Sequence, residues 1–373
     1  MLSFEAASTS TTPINERSNM RKRVVLTALL TVSALALVGC SQGGSSGDGE
    51  GGSGDTTELV FSGWGGLVDE TLTKTAFEPF TEDTGISVML DSPLSSAKLK
   101  SMVESNNTTW DLTMANPVET TRYCEDLYEP VDMTNINEDD FAPGTITKCG
   151  IPNNYYSTAM VYDKDVFGAN PPTTLADFFD TDKFPGKRLF PSDALEFALE
   201  FALIADGVKP EELYPLDVER ALAKLDTIKS DLVFWQLGDE QTQPMEAKAV
   251  TMGIAWTGRG LQVAQNGGSF DVAWGTHIIG ATQFAIPKGT KNFDAAMSLI
   301  EFATAPEPQA RMNELMAYSA ANLNAKPKLD EVQQHWDPLV GGASFEVAFL
   351  PDYDYWAENL EEIQTAYSNW AIG

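Results

Sequence analysis

Histidine is almost absent from this chain: there are two in 373 residues, His277 and His335, and neither lies in an HExxH context. That removes the usual partner of a catalytic thiol and leaves no zinc-site spacing. Positive charge is scarce as well, with Lys+Arg at 24 against Asp+Glu at 54 and a net charge of -30. A surface this acidic repels polyanions, which excludes nucleic acid as a partner. The same surplus suits solubility or high salt, and it also suits a cationic ligand. No GxxxxGK[ST] occurs, and Gly258-Arg259-Gly260 lacks the third glycine of a dinucleotide fingerprint. No cofactor and no metal are expected, and the chain does not read as an enzyme. Long apolar runs are missing too: the longest, residues 24–38, falls short of the roughly 20 residues that cross a bilayer.

What is present begins with that run. Arg21, Lys22 and Arg23 precede it, and Leu37-Val38-Gly39-Cys40 closes it. A basic start, an apolar stretch and a small residue before cysteine make a lipoprotein signal peptide over residues 1–39, with lipidation at Cys40. Met20 reads as a natural start, which would make residues 1–19 an upstream extension. Cleavage would remove Arg17, Arg21, Lys22 and Arg23 with only Glu5 and Glu16, leaving the mature part more acidic still. Residues 41–55 are nearly all Gly, Ser and acidic residues, so residues 40–57 read as a lipidated cysteine and flexible tether. The protein is expected to be exported and held by lipid alone, at the outer face of the cell membrane or in the periplasm. Cys124 and Cys149 then remain as an even pair in an oxidising compartment. A disulfide is expected, and closing that loop would stabilise by roughly 3.5 kcal/mol in the chain-entropy treatment.

The length argues for two lobes, and the folded part alternates strand-like and helix-like segments. Leu59 to Phe61 form a short apolar run, and a helical period follows through Leu67, Leu72, Ala76, Phe77 and Phe80 to Gly85. Ile86, Val88 and Leu90 then alternate as a strand. Residues 155–162, 250–256 and 282–286 read as further strands. Residues 194–205, the Val218 to Ile228 pattern and 293–304 read as helices. Such alternation implies α/β lobes around mostly parallel sheets, with ligand gathered at the carboxyl ends of strands. Trp64 and Trp256 each follow a strand.

Several segments occur in an order that carries a resemblance. After the lipobox come Trp64-Gly65-Gly66, a Phe-Glu-x-Phe-x-x-x-Thr-Gly-Ile stretch from Phe77, Asp111-Leu112 and Gly150-Ile151-Pro152. Gly253-Ile254-Ala255-Trp256-Thr257-Gly258, Phe284-Ala285-Ile286-Pro287-Lys288-Gly289 and Asn322-Leu323-Asn324 follow. This order resembles the extracellular solute-binding proteins of ABC importers, in their spermidine/putrescine-binding branch. The resemblance implies a two-lobed type II periplasmic-binding-protein fold of the α/β class, with ligand enclosed between lobes joined by two hinge strands near residues 158–163 and 282–286. It places residues 58–158 plus 282–308 in the N-terminal lobe and 159–281 plus 309–373 in the C-terminal lobe. It also implies a monomer that hands a small solute, an amine by this branch, to a membrane permease and its ATPase.

A polyamine site needs carboxylates for its ammonium groups and aromatic walls for its stem. The family's acidic pair matches Asp193 and Glu196, its strand-end tryptophans match Trp64 and Trp256, and a late tyrosine matches Tyr318. Tyr155 stands where the family has an aromatic residue after Ile-Pro. Asp193 and Glu196 fit a capping box equally well, and each aromatic residue fits core packing. The chain departs from the branch at Gly280-Ala281-Thr282, where a Trp-x-Asp is expected, and at Ala357 beside Trp356, where a glutamine is expected. Thr282 cannot neutralise an ammonium. A shorter amine, an amino-acid derivative or a ligand with one cationic end therefore fits as well, and sugar, a thiamine-like cation or ferric ion remain as other ligands of the same fold. From another class, a lipid-anchored glycan hydrolase would need two acids facing across a cleft, whereas this pair lies three residues apart on one face of a single expected helix.

Overall fold

The computed structural model describes residues 58–316, 318–340 and 348–373. The expected signal peptide, Cys40 and the tether lie outside the described residues. Ten strands are described: β1 (Glu58–Ser62), β2 (Ser87–Leu90), β3 (Leu112–Ala115), β4 (Ile151–Asp163), β5 (Arg188–Pro191), β6 (Leu232–Trp235), β7 (Met252–Trp256), β8 (Phe270–Ala285), β9 (Ser319–Ala320) and β10 (Ala348–Phe349). They join in the order β2-β1-β3-β8-β4-β7-β5-β6, with β10 on β8 and β9 on β4.

Two long antiparallel strands hold this order together. At one end of their pairing Ile151 of β4 faces Phe284 of β8, and at the other Asp163 faces Phe270. The first end carries β3 through Thr113 and Ala285, and β1 and β2 lie parallel beyond it. The second end carries β7, which pairs with β4 from Thr158 to Tyr162, and the parallel strands β5 and β6 beyond. The register between the two long strands shifts between Pro152 and Asn154 and again between Thr158 and Met160. Such irregularities bend a strand and re-aim its side chains. The result is a two-lobed α/β fold linked by two continuous strands.

Each lobe has its own core. Leu59, Phe61, Phe77, Leu112, Phe284 and Ile300 are buried together in one. Phe178, Phe190, Leu199, Phe201, Trp356 and Tyr367 are buried together in the other. Met312 and Met316, on the carboxyl side of residue 308 where the lobe boundary is expected, pack with Leu59 and Phe61. The short inner strands β3 and β5 are buried at every position, so they show no alternation to read. The strand expected over residues 282–286 is the end of the 16-residue β8.

The first helical period is realised as a helix over Gly66–Leu72, a π-helical turn over Thr73–Phe77 and a helix over Glu78–Thr84. Gly85, at φ 80°, stops it in the left-handed conformation that glycine tolerates best. The helix expected over residues 194–205 is broken. A 3₁₀ turn spans Ala194–Glu196, Phe197 follows at φ 60°, and only then does the helix Ala198–Ala205 begin. Cys124 and Cys149 are disulfide-bonded. Among the described residues no helix is long and apolar enough to cross a membrane.

Candidate functional site

The carboxyl ends of strands from both lobes converge on one cavity of about 450 Å³, a size typical of small-ligand sites. Trp64 follows β1 and Asn116 follows β3. From the other lobe Asp193 and Glu196 follow β5, Gln236 to Gly238 follow β6, Trp256 ends β7 and Arg259 follows it. Thr282 and Tyr156, on β8 and β4, line the part between.

Six of the eight residues singled out from sequence line this cavity: Trp64, Asp193, Glu196, Trp256, Thr282 and Tyr318. Trp64 is 44% exposed, which leaves its ring free at the cavity's edge. Tyr155 and Trp356 do not line it. Side chains alternate along a strand, so Tyr155 turns into the N-terminal core and its neighbour Tyr156 takes the cavity face. The Tyr155 hydroxyl accepts the Ala142 N–H at 2.9 Å and meets the Thr145 hydroxyl at 2.9 Å. Trp356 is fully buried, and its indole N–H donates to Glu200 Oε1 at 2.7 Å.

The acidic pair sits on the 3₁₀ turn, not on one face of a continuous helix. Asp193 Oδ1 accepts the Leu195 N–H at 2.9 Å, so this residue caps the turn and lines the cavity at once. The reciprocal half of a capping box is not made. Glu196 Oε2 instead accepts the indole N–H of Trp256 at 2.7 Å. The left-handed Phe197 next to it is a strained position for a residue with a side chain. Its ring packs edge-on against Trp356 at 5.9 Å, which holds the turn that presents Glu196. Burial pushes the Glu196 carboxyl up to about 7, the Trp256 hydrogen bond opposes this, and the nearby Asp193 charge adds to it.

Sequence reasoning missed Arg259. It lies in the first turn of the helix Thr257–Gln265, where the helix dipole disfavours a cation. Its Nη1 donates to Gln262 Oε1 at 3.2 Å, its buried Nε has no partner, and it forms no ion pair among the described residues. Gly238 accommodates it: a Cβ there would lie 2.2 Å from Nη2. Burial raises the Tyr318 hydroxyl; the Arg259 charge opposes this and the Glu196 charge adds to it, so both charges act on one ring. The signal in the sequence was an arginine three residues past a strand-end tryptophan, set between glycines that fail as a nucleotide loop.

The walls are aromatic. Tyr156 stands edge-on to Trp256 at 6.3 Å and to Tyr318 at 6.4 Å, and Trp256 packs on Trp235 at 5.0 Å. Tyr353 lines the cavity too, and its buried hydroxyl has no hydrogen-bond partner among the described residues. Such a site offers two acidic groups, an arginine fork and π faces, and it can hold a small charged solute without reacting with it.

A cavity between two α/β lobes crossed by two strands defines a solute-capturing binding protein. The chain belongs to the bacterial extracellular solute-binding protein family, whose model matches residues 75–338. Members bind small molecules and deliver them to an ABC permease, so this is a transport protein and not an enzyme. It is 31% identical over 321 residues to a γ-aminobutyric acid-binding protein of Pseudomonas aeruginosa PAO1, covering 84% of this chain and 90% of that one. It is 27% identical to the spermidine/putrescine-binding periplasmic protein of Escherichia coli K12, covering 74% of this chain and 80% of that one. Among solved structures, a GABA receptor matches at 35% identity and a TM-score of 0.78, covering 84% of this chain and 97% of that one. The binding protein AgtB of A. tumefaciens R10, in complex with agropinic acid, matches at 31% identity and a TM-score of 0.72, covering 85% and 99%.

Proposed function

We propose that this protein captures a small zwitterion with separated charges, an ω-amino acid such as γ-aminobutyric acid, for an ABC importer. The observation that carries this reading is Arg259, a guanidinium whose buried Nε has no partner among the described residues and which lines the same cavity as an acidic pair. A ligand ammonium would sit with Asp193 and Glu196 against the faces of Trp256 and Tyr318. A carboxylate would take the arginine fork, whose geometry matches it in two hydrogen bonds. The relatives that bind γ-aminobutyric acid support the same chemistry. Cys40 would carry the lipid anchor and residues 41–55 the tether, with the protein working as a monomer between the membrane and its permease.

The second reading is a diamine or polyamine, favoured by the acidic pair and aromatic walls. Thr282 offers no charge for a second ammonium, and Arg259 would repel one. The test is Arg259→Gln, with binding of γ-aminobutyric acid and putrescine measured side by side. Loss of about 1.5–3 kcal/mol for the amino acid alone supports the zwitterion. A gain for putrescine, with no γ-aminobutyric acid binding in either form, supports the diamine.

A further inference from the structure

Gly280 on β8 lies directly under the ring of Tyr156 on β4, its cross-strand partner. A Cβ at Gly280 would fall 2.3 Å from Tyr156 Cζ and 2.6 Å from its hydroxyl oxygen, far inside any real contact. The missing side chain is therefore what lets the ring lie flat across the strand. Both residues line the cavity, and the ring stands between Trp256 and Tyr318 on one side and the Gly280 backbone on the other. Among the described residues the ring's contacts are its packing against these neighbours.

We propose that the Tyr156 ring, seated on Gly280, is the wall that sets the length of the solute the cavity accepts. This rests on the reading of the site as one for a chain with a charged group at each end. With the ammonium anchored at Asp193 and Glu196 and the other end at Arg259, a longer chain would have to bow, and the Tyr156 ring, which lines the same cavity, would limit that bow. The two residues can be changed in opposite senses. Tyr156→Ala removes the ring and opens space over Gly280. Gly280→Ala keeps the ring but drives it off the strand and further into the cavity.

The experiment is a titration of the purified full-length protein with ω-amino acids from glycine to 6-aminohexanoic acid and with the matching diamines. Wild type should show a sharp optimum, losing about tenfold for each methylene beyond it. Tyr156→Ala should move the optimum to a longer chain by one or two methylenes, each newly buried methylene tightening binding about fourfold. Gly280→Ala should move it to a shorter chain, and Tyr156→Phe, which keeps the ring, should leave it in place. Unfolding midpoints verify folding, and Tyr156→Leu replaces Tyr156→Ala if that variant does not fold. An optimum at the same length in all variants overturns the inference while leaving the zwitterion reading intact. If wild type binds neither series, that reading falls and the length wall with it.

Discussion

The indole N–H of Trp256 donates to Glu196 Oε2 at 2.7 Å, tying the end of β7 to the turn that follows β5. The bond occupies one carboxylate oxygen, and both residues line the cavity. It makes the acid a fixed part of the wall and couples ligand capture to the proton on Glu196.

Binding should depend on pH for this reason. With its carboxyl raised to about 7, Glu196 is largely protonated in the empty site at pH 6 and below. An ammonium ligand favours the ionised form, so affinity for γ-aminobutyric acid should rise about tenfold per pH unit from pH 5 to 7 and level off above. Glu196→Gln should bind more weakly at pH 8 and lose the dependence. Calorimetric titrations at pH 5, 6, 7 and 8 measure both, and a flat wild-type profile would count against the coupling.

Asp193→Asn separates charge from capping. Asparagine keeps the acceptor that satisfies the Leu195 N–H and is an equally good cap. The unfolding temperature should stay nearly unchanged, while a ligand ammonium should bind more weakly by about 1.5–3 kcal/mol. Unchanged affinity would leave Asp193 as a cap alone.

Gly238→Ala tests the seat of Arg259. The new Cβ would fall 2.2 Å from Nη2, and the flexible guanidinium is the part that can move. Carboxylate-bearing ligands should lose at least about tenfold in affinity, the cost of one misplaced charge-assisted hydrogen bond, with little loss of stability. Equal binding by wild type and variant would separate the guanidinium from the site.

A second buried acid predicts a pH-dependent stability. Glu200 accepts from the Tyr214 hydroxyl and the Trp356 indole, both at 2.7 Å, and burial pushes it from 4.5 up to about 7. Between those values the folded state holds a proton that the unfolded state has lost. Its contribution is present below pH 4.5 and is lost as pH rises through 7, on the order of 1–3 kcal/mol. Glu200→Gln should flatten that fall in urea midpoints measured at pH 5 and 8, and an unaltered slope would contradict the assignment.

Much of the fold was legible because its signals are local. Gly85 ends its helix as the period suggested, and the strand-end positions of Trp64 and Trp256 follow from apolar runs that stop there. What was not legible depends on distance or on parity. Tyr155 and Tyr156 are adjacent, and only the pairing with β8 decides which faces the cavity. Trp356 reads as a loose match to a ligand residue until Glu200, 156 positions away, is found beneath it. The left-handed Phe197 interrupts a stretch whose composition favours a continuous helix, because packing against Trp356 outweighs local propensity there.

The most direct test of the account is calorimetric titration of ligand-stripped protein with γ-aminobutyric acid and with putrescine at pH 7.5. The account predicts one site for γ-aminobutyric acid and binding of putrescine at least about tenfold weaker, the cost of repulsion by Arg259 and of an ammonium left unpaired at Thr282. Tight, stoichiometric putrescine with no heat from γ-aminobutyric acid would contradict it and make the cavity a site for two cationic ends.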